Sequence, residues 1–125
     1  MTAAGEALTR KVEALYRKAG FDAPSPGEAA DHLQARLATV EGICRFLTQR
    51  HRLVRLDGKF LIHRAVMDEM ARQVREWEVE DFAVGDFKGR FDLTRKLAIP
   101  ALEWLDSERV TVRHGNRRKI IRRKG

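Results

Sequence analysis

The sequence holds no uninterrupted apolar run near the roughly 18 residues that a membrane-spanning helix needs. Its single cysteine, Cys44, excludes an internal disulfide and fits a reducing cytoplasm, where a buried helical thiol is the expectation. The opening residues MTAAGEALTRKVEALYRKAG carry no apolar stretch of secretory type, so no signal peptide is expected. The nine glycines are scattered, and no stretch matches the phosphate-binding loop of nucleotide hydrolases. His32, His51, His63 and His114 lack the paired spacing of zinc ligands, and none stands where it could act as a base for Cys44. Glu78, Glu80 and Asp81 cluster in a way that suits solvation or capping better than a cation. The expectation is a chain that is not an enzyme, with no metal and no cofactor of its own.

What the sequence does have is charge, and the charge is localised. The 125 residues are 43% hydrophobic and 34% charged, enough for one ordinary domain or two small ones with soluble surfaces. The net charge is +7. Residues 1–83 hold 13 basic and 13 acidic residues, whereas residues 84–125 hold 12 basic and 5 acidic, so the whole surplus lies in the last third. Such asymmetry points to a polyanion, nucleic acid before a membrane surface, although a solvated basic tail has the same composition.

Periodicity organises the chain into two similar halves. Leu8, Val12, Leu15 and Ala19 predict a first helix over about 6–18. Ser25-Pro26-Gly27-Glu28 predicts the start of a second, running to about Arg36, with Ser25 and Glu28 capping each other. Thr39 is the expected cap of a third helix that buries Val40, Ile43, Phe46 and Leu47. Asp57-Gly58, between two β-prone runs, predicts a tight hairpin. In the second half, Val66, Met70, Val74 and Trp77 share a helix face, a short helix buries Phe87 and Phe91, and the next buries Leu97, Ala101, Leu102 and Leu105. A hairpin follows, with Val110 and Val112 alternating, a turn at Gly115-Asn116, and Ile120 and Ile121 on the return. Phe46-Leu47 and Trp104-Leu105, like the two turns, are displaced by 58 residues. Three helices and a hairpin, repeated, predict a mainly helical α+β chain of two tandem winged-helix domains, residues 1–63 and 64–125.

In the second domain the cations fall where a winged helix faces outward. Lys88 and Arg90 lie in or after the short helix, Thr94, Arg95 and Lys96 open the third helix, and Arg113, His114, Asn116, Arg117 and Arg118 surround the wing tip. A helix amino terminus draws phosphate through its unpaired amides and dipole, and arginine adds bidentate geometry. The first domain opens its third helix with TVEGI and is expected to space or brace. Beyond its basic pair the later helix reads Leu97, Ala98, Ile99, Pro100, Ala101, with little to read bases in a DNA groove. Pro100 is expected to kink that helix or delay its start. Contact by the helix tip and the wing suits an RNA hairpin, whose deep, narrow major groove does not admit a helix. A winged-helix DNA-binding regulator and a protein-interaction module remain the alternatives at this point.

TRKLAIPALEWLDSERVTVRHGNRRKI, with VGDFKGRF just ahead of it, resembles the last winged-helix domain of the bacterial selenocysteine-specific elongation factor. The resemblance is carried by Arg95-Lys96, Ile99-Pro100, the run Leu102 to Asp106, and the hairpin Val110 to Arg118. It implies binding to the selenocysteine insertion (SECIS) hairpin in messenger RNA through Lys88, Arg90, Thr94, Arg95, Lys96, Arg113, Gly115, Asn116, Arg117 and Arg118. It further implies a full-length GTPase, using GTP and magnesium, that brings selenocysteinyl-tRNA to the ribosome and recodes UGA. This chain, with no GTPase motif, would then be the cytoplasmic, monomeric tethering part, with no membrane partner. The basic tail IRRKG departs from the family pattern and is expected to add nonspecific affinity.

Overall fold

The computed structural model describes residues 2–122 and divides into two compact units, with the break between Met67 and Asp68. Most of the tail IRRKG therefore lies outside the described residues. In the first unit, α1 (Ala3–Ala19) starts where the Thr2 hydroxyl accepts the amide of Gly5 at 3.0 Å. It buries Val12 and Tyr16, while Leu8 and Leu15 pack half-buried against the core. Helix α2 (Pro26–Leu33) has the expected reciprocal cap: Glu28 N donates to Ser25 Oγ at 3.1 Å and Ser25 N to Glu28 Oε1 at 3.0 Å. It ends before Arg36 because Gln34 takes a left-handed conformation, which lets the Ala35 amide reach the Ala30 carbonyl.

Helix α3 (Leu37–Gln49) begins two residues ahead of the expected cap: Arg36 occupies the cap position, without a side-chain bond, and Thr39 lies in the first turn. Val40, Ile43, Cys44 and Leu47 are buried, and Phe46 packs at the edge of the core. Strands β1 (Leu53–Leu56) and β2 (Phe60–His63) form the hairpin, with Asp57 at φ 52° and Gly58 at φ 66°.

Helix α4 (Arg64–Glu76) contains the break between units. Its buried residues are Met67, Met70, Ala71 and Val74, so the apolar face starts at Met67 and Val66 stays half-buried. In the second unit β3 (Asp81–Ala83) leads into α5 (Val84–Phe91), followed by α6 (Arg95–Ser107), β4 (Thr111–His114) and β5 (Arg117–Ile120). The antiparallel sheet has the order β3-β5-β4. Trp77, Phe82, Phe87 and Phe91 make successive ring contacts at 4.8, 6.0 and 5.1 Å between centroids, with Phe82 and Phe87 fully buried. Val110 and Thr111 are buried where β4 begins, and Val112, expected to share the side of Val110, is 40% exposed; Ile121, just past the end of β5, is 39% exposed. The Thr111 hydroxyl donates to Asp106 Oδ1 at 2.6 Å, which turns Thr111 inward and Val112 outward.

The internal repeat keeps one displacement from the second helix of each unit to the hairpin turn. Helices α2 and α5, helices α3 and α6, and strands β1 and β4 each begin 58 residues apart. The positive-φ positions obey the same displacement: Gln34 and Asp92, His51 and Arg109, Asp57 and Gly115. So do the turns that follow the third helices, where Arg52 N reaches Leu47 O at 2.8 Å and Val110 N reaches Leu105 O at 2.9 Å. The units differ at β3. Its counterpart in the first unit, residues 23–25, contains Pro24, which cannot donate to a ladder, and the first sheet has two strands.

Candidate nucleic-acid interface

Helix α6 presents its first turn to solvent. Thr94, Arg95 and Lys96 are exposed, and Thr94 sits at the cap with φ −74° and ψ 159° but makes no side-chain capping bond. Its carbonyl accepts the amides of Leu97 at 3.2 Å and Ala98 at 2.8 Å, so the helix is formed from Arg95 onward. Pro100 therefore does not delay the start. The hydrogen bond it cannot make falls on the carbonyl of exposed Lys96, where water can serve it. Pro100 itself is buried with Leu97, Ala98, Ala101, Leu102 and Leu105, which leaves the helix tip and the face of Ile99, Glu103 and Asp106 unburied.

Between α6 and the β4–β5 wing lies a groove of 540 Å³. Arg95, Arg113, Asn116 and Arg118 line it, together with Ile99, Glu103, Asp106 and Val84. At the wing, Gly115 has φ 61°, a conformation that favours glycine, and Arg113 Nε donates back to the Gly115 carbonyl at 3.0 Å. Arg118 is turned inward, its side chain 6% exposed, with Nε 3.2 Å from Asp106 Oδ2. Arg117 lies on the exposed strand surface, where Nε and Nη2 bind Asp81 Oδ1 at 2.8 and 2.6 Å.

Of the residues singled out in the sequence, four converge on one groove: Arg95, Arg113, Asn116 and Arg118. Thr94, Lys96 and Gly115 adjoin them in the chain. Lys88 and Arg90 are placed on α5 and do not line the groove, and the Arg90 guanidinium stacks 5.2 Å from the Trp77 ring. Sequence reasoning missed Ile99, Glu103 and Asp106. Their signal was available, since Arg95, Ile99, Glu103 and Asp106 are spaced four, four and three residues apart along one helix face.

The charge balance changes once the chain is divided at the structural break. Residues 1–67 hold 11 basic and 7 acidic residues, and residues 68–125 hold 14 and 11. The first unit is thus not neutral, because the acids between Asp68 and Asp81 belong to the second. Arg72 takes up two of them, pairing with Glu69 and with Glu76 at 2.6 Å. The positions in the first unit that correspond to the groove are Pro26, Leu37, Glu41, Arg45, Thr48, Arg55, Gly58 and Leu61, with Leu37 at the helix tip and 49% exposed. Its third helix therefore offers no cation where the second unit offers Arg95 and Lys96. No helix of the described residues is long and apolar enough to cross a membrane, and no metal-binding cluster occurs among them.

Comparison with known proteins adds four findings. Residues 77–125 match the family model for the winged helix of elongation factor SelB. A selenocysteine-specific elongation factor from Desulfomicrobium baculatum is 32% identical over 118 residues, 93% of this chain and 19% of the relative, so the chain spans about a fifth of that protein's length. The mRNA-binding domain of elongation factor SelB from E. coli, solved in complex with SECIS RNA, superposes with a TM-score of 0.77 at 22% identity, covering 96% of this chain and 98% of that one. A bacterial selenocysteine-specific elongation factor EF-Sec superposes at 0.75 and 24% identity, covering 98% of this chain and 20% of that one. Both superpositions carry the tandem winged-helix fold.

Proposed function

Because this chain belongs to the selenocysteine-specific elongation factor family, as its winged-helix region, we propose that its second unit grips the apex of a SECIS hairpin in messenger RNA. The observation that carries the reading is the convergence of the α6 tip and the wing on one groove, with Arg95, Arg113, Asn116 and Arg118 around it. Past the tip, the unburied face of α6 carries Ile99, Glu103 and Asp106, which offer no cation or amide for reading bases along a DNA major groove. A target recognised at its phosphates and its unpaired loop fits both features, which supports RNA over the DNA-regulator alternative.

On this reading the chain binds and does not catalyse. The first unit braces or spaces, and Lys88, Thr94, Lys96, Gly115 and Arg117 extend the contact around the groove. The rest of the factor carries the GTPase, with its GTP and magnesium, and the selenocysteinyl-tRNA that is delivered to the ribosome at UGA. The tethered complex works in the cytoplasm, and the chain itself is a monomer without a cofactor.

Fluorescence anisotropy with a labelled SECIS hairpin tests the reading. Arg95→Ala and Arg113→Ala should each weaken binding by about 1.5–3 kcal/mol, the range for charge-assisted hydrogen bonds, with an unchanged thermal midpoint. With about four to six phosphates engaged, log K should fall with log salt at a slope of roughly 3 to 5. A duplex DNA of equal length that displaced the hairpin at equal concentration would return the DNA-regulator reading to first place.

A further inference from the structure

The polar cluster beneath the groove has an apolar counterpart elsewhere in the same chain. Asp106 Oδ1 accepts from the Thr111 hydroxyl at 2.6 Å, and Asp106 Oδ2 lies 3.2 Å from Arg118 Nε. At the displacement of 58 residues, Asp106 corresponds to Thr48 and Thr111 to Leu53. Arg118 pairs across the wing with Arg113 as Leu61 pairs with Arg55, so Arg118 corresponds to Leu61. Leu53 and Leu61 are 1% and 3% exposed and form part of an apolar core. Thr48 there turns back onto its own helix, donating to the Cys44 carbonyl at 2.8 Å. The fold therefore closes the wing over the third helix with leucines and needs no ion pair. This pair is partly buried, at 6% and 27% exposure, so it loses some hydration that two leucines never had, and replacing a fully buried pair by apolar residues is often neutral or stabilising.

The second unit nevertheless has the ion pair, and both of its residues line the groove. Nε is the atom of Arg118 bound to Asp106, and Nη1 and Nη2 have no protein partner among the described residues. No side-chain nitrogen or oxygen among those residues is buried without a partner, so these two nitrogens keep some contact with solvent, and Arg118 is among the residues that line the groove. Two parallel N–H groups on one guanidinium match two oxygens of a phosphate.

We propose that Arg118 is an RNA-phosphate contact at the floor of the groove and that Asp106, with Thr111, is the positioning residue that aims it. The inference rests on the reading of the second unit as the RNA-binding one. Asp106 holds Nε, which fixes the plane of the guanidinium and directs the Nη pair outward. Thr111 fixes the Asp106 carboxylate in turn. The cluster lowers the ordering cost of the contact before RNA arrives.

The test copies the first unit's residues into the second. The variant Asp106→Thr, Thr111→Leu, Arg118→Leu is compared with wild type, with Arg118→Lys and with Arg95→Ala in the full chain. Thermal unfolding and hairpin affinity across a salt series are measured for each. The triple variant should unfold at the same or a higher temperature, bind the hairpin about tenfold or more weakly, and lose about one phosphate's worth of salt slope, roughly 0.7–0.9. Arg118→Lys should keep the slope and still bind several-fold more weakly, since an ammonium cannot be held by one nitrogen and present two others in a plane. A purely structural role would leave the slope unchanged. An unchanged slope, wild-type affinity or failure to fold in the triple variant overturns the inference. If Arg95→Ala also binds like wild type, the interface reading itself fails.

Discussion

Arg117 and Asp81 form a two-donor ion pair across the β3–β5 edge, with Nε and Nη2 both on Oδ1 at 2.8 and 2.6 Å. Each side chain is about half exposed, at 48% and 51%. Pairs of that exposure contribute little, about 0–1 kcal/mol, so a phosphate can compete for the guanidinium. The carboxylate still has to be displaced or left nearby. Arg117→Ala should therefore weaken hairpin binding less than Arg95→Ala does. Asp81→Asn should tighten binding to any RNA and steepen its salt dependence. A salt titration of both variants checks this, and a loss of affinity in Asp81→Asn would show that the pair orients Arg117.

The sequence was informative wherever a local rule decided the structure. Ser25 and Glu28, Asp57-Gly58 and Gly115-Asn116 act within a few residues, and their spacing specifies the bonds that form. The 58-residue displacement was visible from two residue pairs and extends to cap, turn and left-handed positions. What was not legible depended on partners distant in sequence. Thr111 points inward because Asp106 holds it, and the alternation of Val110 and Val112 could not show that. Arg118 reads as one more exposed wing cation until the Asp106 carboxylate, 12 residues earlier, is found beside it. The formal charge of residues 1–83 misled for a related reason: acids between Asp68 and Asp81 were counted with a unit to which they do not belong.

Glu13 anchors a polar cluster in the first unit. Its Oε2 receives Arg52 Nη2 at 2.5 Å and His63 Nε2 at 2.8 Å. His63 is 2% exposed, and its Nδ1 accepts the Ala65 amide at 3.0 Å, so Nε2 is the ring nitrogen that carries the proton toward Glu13. Burial pushes the Glu13 carboxyl upward, but the hydrogen bonds from Arg52 and His63 outweigh it and hold the group below its ordinary value. A carboxylate lowered by folding stabilises the native state above its unfolded value, and that stability is lost as pH falls through the folded one. Glu13→Gln should cost about 1–2 kcal/mol at neutral pH, and the two urea-unfolding curves should converge below about pH 4. A gap that stayed constant down to low pH would mean that Glu13 acts through packing alone.

Cys44 is 1% exposed, with Sγ 4.0 Å from the Tyr16 hydroxyl. Burial pushes the thiol above its ordinary value, and it raises Tyr16 as well, so neither group ionises in the native chain near neutral pH. The thiol should alkylate at the rate of unfolding, with native protein protected and denatured protein modified at once. Tyr16→Phe should cost less than about 1 kcal/mol, because sulfur is a weak hydrogen-bond partner and the ring stays in place. Fast native alkylation would be incompatible with this packing.

Glu103 is, with Asp106, one of two acids among the groove's cations, and its counterpart in the first unit is Arg45. It lies two helical turns beyond Arg95, on the same face of α6. A carboxylate in a cationic groove repels phosphate and accepts bonds only from amino, imino or hydroxyl donors. Glu103→Gln should therefore tighten binding of unrelated RNA hairpins and improve the SECIS hairpin less, or weaken it. The ratio of the two affinities is the readout. Equal gains for both would assign Glu103 a purely repulsive role.

Pro100 is buried in α6 and leaves its first turn intact. Pro100→Ala would restore an amide for the Lys96 carbonyl and improve helix propensity, which for proline in a helix interior is unfavourable by up to about 3 kcal/mol. Against that stand the lost packing of the ring, about 0.8 kcal/mol per buried methylene, and the greater freedom of the unfolded chain, about 0.4–1 kcal/mol. These contributions offset one another, so the urea midpoint should shift by less than about 1 kcal/mol. Hairpin affinity separates the two roles open to the residue. If Pro100 serves packing, the alanine variant binds like wild type. A tenfold loss of affinity at unchanged stability would mean that the missing bond at Lys96 shapes the helix tip that meets the RNA.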